Sequence, residues 1–230
     1  MKFKNKTGYF LKNTDQYELS RNLPANITED DFTFCVSIKV DWNKMKHDNL
    51  TKNGGIICKS GMHLGLIAIK TADNQLINAT AWYSVNGENR PVDISFVVNK
   101  DEKVLNLAFI YEKEAKRITF IKNGQRKSAT FDGELIDYNH SWIWIGCSNG
   151  FDACNEEHRN FFSGDINLVG IFNKALGDDI VGEFFENKKL EDNKAHSVVM
   201  FSDFTEQTPY KIRDQSGCGN HLMKYNKGWF

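Results

Sequence analysis

The sequence predicts an all-β protein, a two-sheet antiparallel sandwich carrying one short helix. Short runs of alternating apolar and polar residues recur along most of the chain, separated by turn residues, and only one stretch spaces its apolar residues as a helix does. A length of 230 residues fits one large sandwich, a fold that reaches roughly 200 to 250 residues as a single unit. Strand signals that follow one another without helices between them favour a sandwich over a parallel α/β sheet.

In chain order, the alternation places strands at 17–19, 32–40, 55–59, 63–70, 75–83, 93–98, 104–112, 117–122, 141–147 and 165–172. Residues 105–111 and 117–125 form the clearest hairpin, joined by a charged turn from Glu112 to Lys116. Asn123-Gly124 closes the second arm, because both residues tolerate positive φ. The run Trp142-Ile143-Trp144-Ile145-Gly146-Cys147 and the run from Gly164 to Leu176 read as two neighbouring strands, one closed and the other opened by glycine. From Asp178 to Lys189 the apolar residues Ile180, Phe184 and Phe185, with Leu176 before them, fall near a 3.6 spacing. Asp178 or Asp179 is expected to cap this helix, which is expected to pack on one edge. A polar connection at 191–194 and strands at 197–204 and 219–225 complete the chain. No internal repeat or low-complexity tract is seen, and three prolines, Pro24, Pro91 and Pro209, mark no linker. Residues 1–230 are therefore expected to form one domain, with 191–230 returning to complete the sandwich.

Apolar residues at 40% and charged residues at 26% are ordinary globular usage, enough for a sizeable core. The net charge of -1 gives no field to attract nucleic acid. No run approaches the roughly 20 apolar residues of a membrane span. Met1 to Lys6 is basic but lacks the hydrophobic segment of a signal peptide, so a chain complete as given is expected to be cytoplasmic. Five cysteines, Cys35, Cys58, Cys147, Cys154 and Cys218, form no regular framework and read as thiols in a reducing compartment.

Several segments carry a family resemblance. Phe32-Thr33-Phe34-Cys35-Val36-Ser37-Ile38-Lys39 looks like an early strand and Gly54-Gly55-Ile56-Ile57-Cys58-Lys59 like the one after it. Residues 107–111 and 119–125 look like a central hairpin, 164–176 like a closing strand and turn, and Asp214-Gln215-Ser216-Gly217-Cys218-Gly219-Asn220 like a terminal Asp-x-Ser-Gly-x-Gly-Asn segment. In this order they resemble the concanavalin A-like superfamily, and within it the laminin G-like domain. The resemblance implies a jelly roll and covers most of 9–221. It leaves the ligand open, because this fold carries lectins, hydrolases, protein-binding modules and spacers alike.

Sugar hydrolases of this fold set acidic residues in a Glu-x-Asp-x-x-Glu pattern, so that two carboxylates flank one glycosidic bond. The chain lacks that pattern. Glu134 and Asp137 come nearest, but a spacing of three puts them on opposite strand faces. No nucleophile elbow, phosphate loop or dinucleotide fingerprint appears, so the chain is read as non-catalytic. His140, Cys147, Cys154 and His158 have the ligand types for zinc, but their cysteines are seven apart rather than two to four. Calcium, which the resemblance makes plausible, could draw oxygens from Asp152, Asn155, Glu156, Asp165 and Asn167. The family pattern often has Asp where Asn167 stands, and the neutral amide lowers the charge of such a site.

Sugars present apolar C–H faces rimmed by hydroxyls, so their sites pair flat rings with amide, carboxylate or guanidinium groups. If Ile143 and Ile145 face inward, Trp142 and Trp144 share the opposite face. Tyr138 leads into that strand, and Trp82 and Tyr83 beside Asn89 and Arg90 make a second aromatic-polar cluster. The leading expectation is a carbohydrate-binding, lectin-like module for a glycan or polysaccharide, accompanying a glycan-processing enzyme. The alternatives are a protein-interaction or oligomerisation module that buries the same aromatics, and a divergent glycan-active enzyme.

Overall fold

The computed structural model describes residues 2–3, 9–11, 30–40, 53–59, 62–70, 75–86, 92–99, 101–135, 143–146, 162, 164–190, 197–206 and 211–224, with some strand residues described by their backbone alone. Among these, two sheets stack as a sandwich. Sheet A runs in the order β1 (Lys2–Phe3), β12 (Gly164–Phe172), β3 (Phe32–Val40), β8 (Leu105–Glu112), β9 (Arg117–Lys122) and β10 (Gln125–Thr130), and β13 (Val198–Ser202) also pairs with β12. Sheet B runs β14 (Lys211–Ile212), β15 (Leu222–Lys224), β2 (Tyr9–Leu11), β11 (Ile143–Ile145), β4 (Asn53–Lys59), β5 (Met62–Lys70), β6 (Gln75–Tyr83) and β7 (Val92–Val98). Every pairing is antiparallel.

The strands at 32–40, 75–83 and 117–122 fall on their expected bounds, while the expected strand at 17–19 lies outside the described residues. One expectation about neighbours is corrected: β11 and β12 lie in opposite sheets. Gly146, at φ 81, turns the chain out of sheet B after its N–H donates to the Ile56 carbonyl at 2.8 Å. Phe162 N–H then donates to the Gly146 carbonyl at 2.9 Å, just before β12 opens in the other sheet. Alternation reports the face a residue takes, and it leaves the pairing partner undetermined.

The core follows from alternation on both inner faces. Phe32, Phe34, Val36 and Ile38 of β3 and Leu105, Leu107, Phe109 and Tyr111 of β8 meet Ala79, Ala81 and Tyr83 of β6, Ile94, Phe96 and Val98 of β7, and Ile143 and Ile145 of β11. Each large side chain so buried stabilises by about 1.5–3 kcal/mol. Where the edges of the two sheets meet, lysines join them. Lys122 Nζ donates to the Val97 carbonyl at 3.1 Å and to Glu102 Oε1 at 2.8 Å, and Lys127 Nζ donates to the Ser95 carbonyl at 2.6 Å while lying 4.6 Å from the centre of the Phe96 ring. Burial pushes the Glu102 carboxyl up, but hydrogen bonds from Lys122 and the Asn99 N–H outweigh it and hold the group below its ordinary value.

The outer face of sheet A carries a second cluster. Helix α1 (Asp178–Asn187) buries Val181 and Phe184 there against Cys35, Ala108, Ile110, Ile121, Leu168 and Phe172, so it packs over a sheet face rather than on an edge. Burial drives the Cys35 thiol far above its ordinary value, which leaves it unreactive. Gly177 takes the N-cap position with no side-chain cap hydrogen bond, so neither aspartate caps the helix. Asp178 and Asp179 instead occupy the first turn, where carboxylates complement the helix dipole, and Lys188, left-handed at φ 58, ends it. Thr33 Oγ1 fastens the approach, donating to the Lys174 carbonyl at 2.8 Å and accepting from Leu176 N–H at 3.0 Å.

Gly170 of β12 makes room for this helix, since a Cβ there would lie 2.5 Å from the Phe184 ring and 2.8 Å from that of Phe172. Gly170→Ala is expected to lower stability by about 1–3 kcal/mol through overpacking, read as a reduced urea midpoint with the m-value unchanged.

Candidate functional site

The strand registers of sheet B carry one row of residues across most of its width. Trp144 stands opposite Phe10 on one side and Cys58 on the other, Cys58 opposite His63, His63 opposite Trp82, and Trp82 opposite Asp93. The adjacent row, Ile145, Ile57, Leu64, Ala81 and Ile94, belongs to the inner face, where Ile145, Ile57, Ala81 and Ile94 are buried in the core. The row through Trp144 and Trp82 therefore has the outer face. Three strand steps separate those two positions, which sets them roughly 14 Å apart. Between them Cys58 is only 3% exposed, and at the end of the row Asp93 is exposed.

Next to this row the sheet offers small residues. Gly55, Gly65, Thr80 and Ser95 are aligned across β4 to β7. Thr80 is 4% exposed and Gly55 is buried, so this part of the outer face is covered, as it is at Cys58.

One end of sheet B gathers the flanks of the polar segments singled out in the sequence. Antiparallel pairing sets Leu11, Ile143, Met62, Tyr83 and Val92 at the same end. The flanks of 87–91, Asn86 and Val92, are there, as is the start of β11 after 136–142. Val85 bridges Leu135, and Asn86 N–H donates to the Glu134 carbonyl at 2.9 Å. Gly133, at φ 122, permits this approach, because a Cβ would lie 2.4 Å from the Asn86 carbonyl oxygen. Beneath this end Tyr83 packs against Phe131 at 5.3 Å and Phe109 at 6.3 Å between ring centres. Tyr111, 6.2 Å from Phe131, has its phenol pushed up to about 12 by burial, reinforced by the charges of Glu134 and Asp31.

The structure distributes the expected site residues unevenly. Ile143 and Ile145 face the core as the alternation requires, and Trp144 and Trp82, described by their backbone, share the outer row. Tyr83 is corrected: it is fully buried in the core, because neighbours on a strand face opposite ways and Tyr83 is in phase with Ala79 and Ala81. Its ring is out of reach of a ligand. Trp142, Tyr138, Asn89 and Arg90 lie outside the described residues, as do Asp152 and Asn155 and the candidate zinc set of His140, Cys147, Cys154 and His158. Asp165 and Asn167 both lie on β12 in sheet A. Asp165 stands opposite Lys39 on one side and Lys2 on the other, and Asn167 is exposed at a register shift. Among the described residues, no three His, Cys, Asp or Glu side chains gather as a metal site. Sequence reasoning passed over Phe10, His63 and Asp93; the alternation of β5 and β7 marks the last two as outward, while β2 is too short to show a pattern.

No protein-family model matches the sequence, and no curated protein does. Among solved structures, the chain is similar to a Bacteroides ovatus protein ascribed carbohydrate binding, with a TM-score of 0.63 and 14% identity over 98% of this chain and 57% of that one. It is also similar to the CBM40 of the Ruminococcus gnavus IT-sialidase, with a TM-score of 0.50 and 12% identity over 79% of this chain and 93% of that one. A third likeness is to the Streptococcus pneumoniae NanB sialidase, with a TM-score of 0.52 and 15% identity over 79% of this chain and 26% of that one. At these identities the shared property is the β-sandwich fold.

Because Tyr83 is a core residue, Tyr83→Ala is expected to cost about 3–5 kcal/mol of unfolding free energy, as loss of a buried ring does. Chemical denaturation followed by circular dichroism measures it.

Proposed function

We propose that this chain is a non-catalytic, lectin-like carbohydrate-binding module of laminin G-like type that accompanies a glycan-processing enzyme. The observation that carries the reading is the cross-strand row on the outer face of sheet B, where positions 144 and 82 are tryptophan and the exposed Asp93 ends the line. Stacking on an indole buries the C–H face of a sugar, and a carboxylate beside it accepts from two hydroxyls. A separation of roughly 14 Å is too long for both indoles to hold one sugar ring, so the row suits an extended glycan laid across the strands. Asn89, Arg90, Tyr138 and Trp142 are proposed as further ligand-binding residues from their types, in segments whose described flanks meet at that end of the sheet.

The sandwiches named as a carbohydrate-binding protein and as CBM40 support this reading by fold. The sequence lacks the paired acids of a glycosidase strand, which supports the non-catalytic part. One such site binds weakly and gains strength through linkage to a partner that holds the same substrate.

A glycan array probed with the purified chain, with calcium and again with chelator, tests the proposal. Binding is expected, and Trp144→Ala with Trp82→Ala is expected to abolish it while the thermal midpoint of the variant shows that it folds. The chelator arm decides whether Asp152, Asn155, Asp165 and Asn167 hold calcium. An array without signal contradicts the reading and points to a protein partner for the same row.

A further inference from the structure

Residues 213–221, between β14 and β15, lie along the outer edge of β13. Gln215 N–H donates to the Phe201 carbonyl at 2.9 Å, and Phe201 N–H donates to Asp214 Oδ1 at 3.2 Å. Asp203 N–H donates to Gln215 Oε1 at 2.8 Å, and Asn220 Nδ2 donates to the Val199 carbonyl at 2.7 Å. Among the described residues β13 pairs with β12 alone, so this loop supplies partners to an edge that would otherwise be open.

The loop keeps its shape through Asp214 and His221. Asp214 is 4% exposed, and beyond Phe201 its two oxygens accept from Ser216 N–H and Asn220 N–H, each at 2.9 Å. Asp214 N–H donates in turn to His221 Nδ1 at 3.0 Å. A ring nitrogen that accepts carries no proton, whereas in an imidazolium both nitrogens are donors. The charged groups acting on His221 are Lys211 of β14 and, within the loop, Asp214 and Arg213.

We infer that residues 213–221 form an acid-released strap: a proton taken up from solvent at His221 Nδ1 turns an acceptor into a donor facing the Asp214 N–H, and the strap lifts from β13. Burial, then the charge of Lys211, holds His221 below its ordinary value, with Asp214 opposing and Arg213 adding to the fall. A histidine depressed in the closed state contributes stability that is complete above its unperturbed value of about 6.5 and is lost as pH falls through the closed-state value. Arg213, Asp214, Gln215 and Gly217 of the strap also wall a cleft of ≈ 440 Å³ that Lys188, Lys189 and Asp203 line from other sides, so lifting the strap opens that cleft. This inference is independent of the carbohydrate reading.

Native-state hydrogen exchange of the whole chain at pH 7 and pH 5, corrected for intrinsic rates, tests it. Protection of the Phe201, Asp203, Asp214, Ser216 and Asn220 amides is expected to fall several-fold at pH 5 while β3 and β8 stay protected. His221→Asn, which keeps an acceptor and cannot protonate, is expected to show no such fall. Lys211→Gln leaves the hydrogen bond in place, relieves the repulsion and is expected to shrink the fall. Unchanged protection in the natural chain between the two pH values, or a fall of the same size in His221→Asn, overturns the inference.

Discussion

The two sheets are held in register by one group of rings. Phe32, Phe109 and Tyr111 of sheet A, Tyr83 of sheet B and Phe131 after β10 pack with centres 5.3–6.3 Å apart. Tilted and offset contacts at these distances add to the burial of the rings themselves. Because Tyr83 is anchored inward, β6 cannot slip by one residue, since a slip would send its whole inner set to solvent. That constraint passes through the registers to β5, β4 and β11, and it fixes which residues of sheet B face outward. The candidate site is a consequence of the core.

The same logic separates fold from ligand. Inner faces are dictated by the need to bury Ile, Val and Phe side chains, and the outer face of sheet A is partly committed to α1. On sheet B the registers align Phe10, Trp144, His63 and Trp82 in one outer row, at positions the inner core does not require. At the end of that sheet the backbone of 85–86 pairs with 134–135, and Gly133 makes that pairing possible.

Much of this was legible in the sequence because burial leaves a period. Strands with one face in the core alternate, and β3, β6 and β9 were bounded from that signal alone. β10 was not, because Gln125-Arg126-Lys127-Ser128-Ala129-Thr130 lies at a sheet edge with hardly any of it buried. β1, β2 and β14, with two or three residues each, are too short to show a period. Sheet membership was the larger gap, since β11 and β12 carry the same alternation whichever sheet they join. For the site, the inward turn of Ile143 and Ile145 was readable, and so was the rule that Trp82 and Tyr83 cannot both face outward, which the aromatic grouping overlooked. Isolated polar residues such as Asn89 and Arg90 leave no period at all.

The registers put positions 82 and 144 on the outer face of sheet B, while the core hides Tyr83. Hydroxyl-radical footprinting of the free chain, read residue by residue by mass spectrometry, measures this directly. The account predicts strong oxidation of Trp82 and Trp144 and little of Tyr83. Tryptophans as protected as Tyr83 would contradict it.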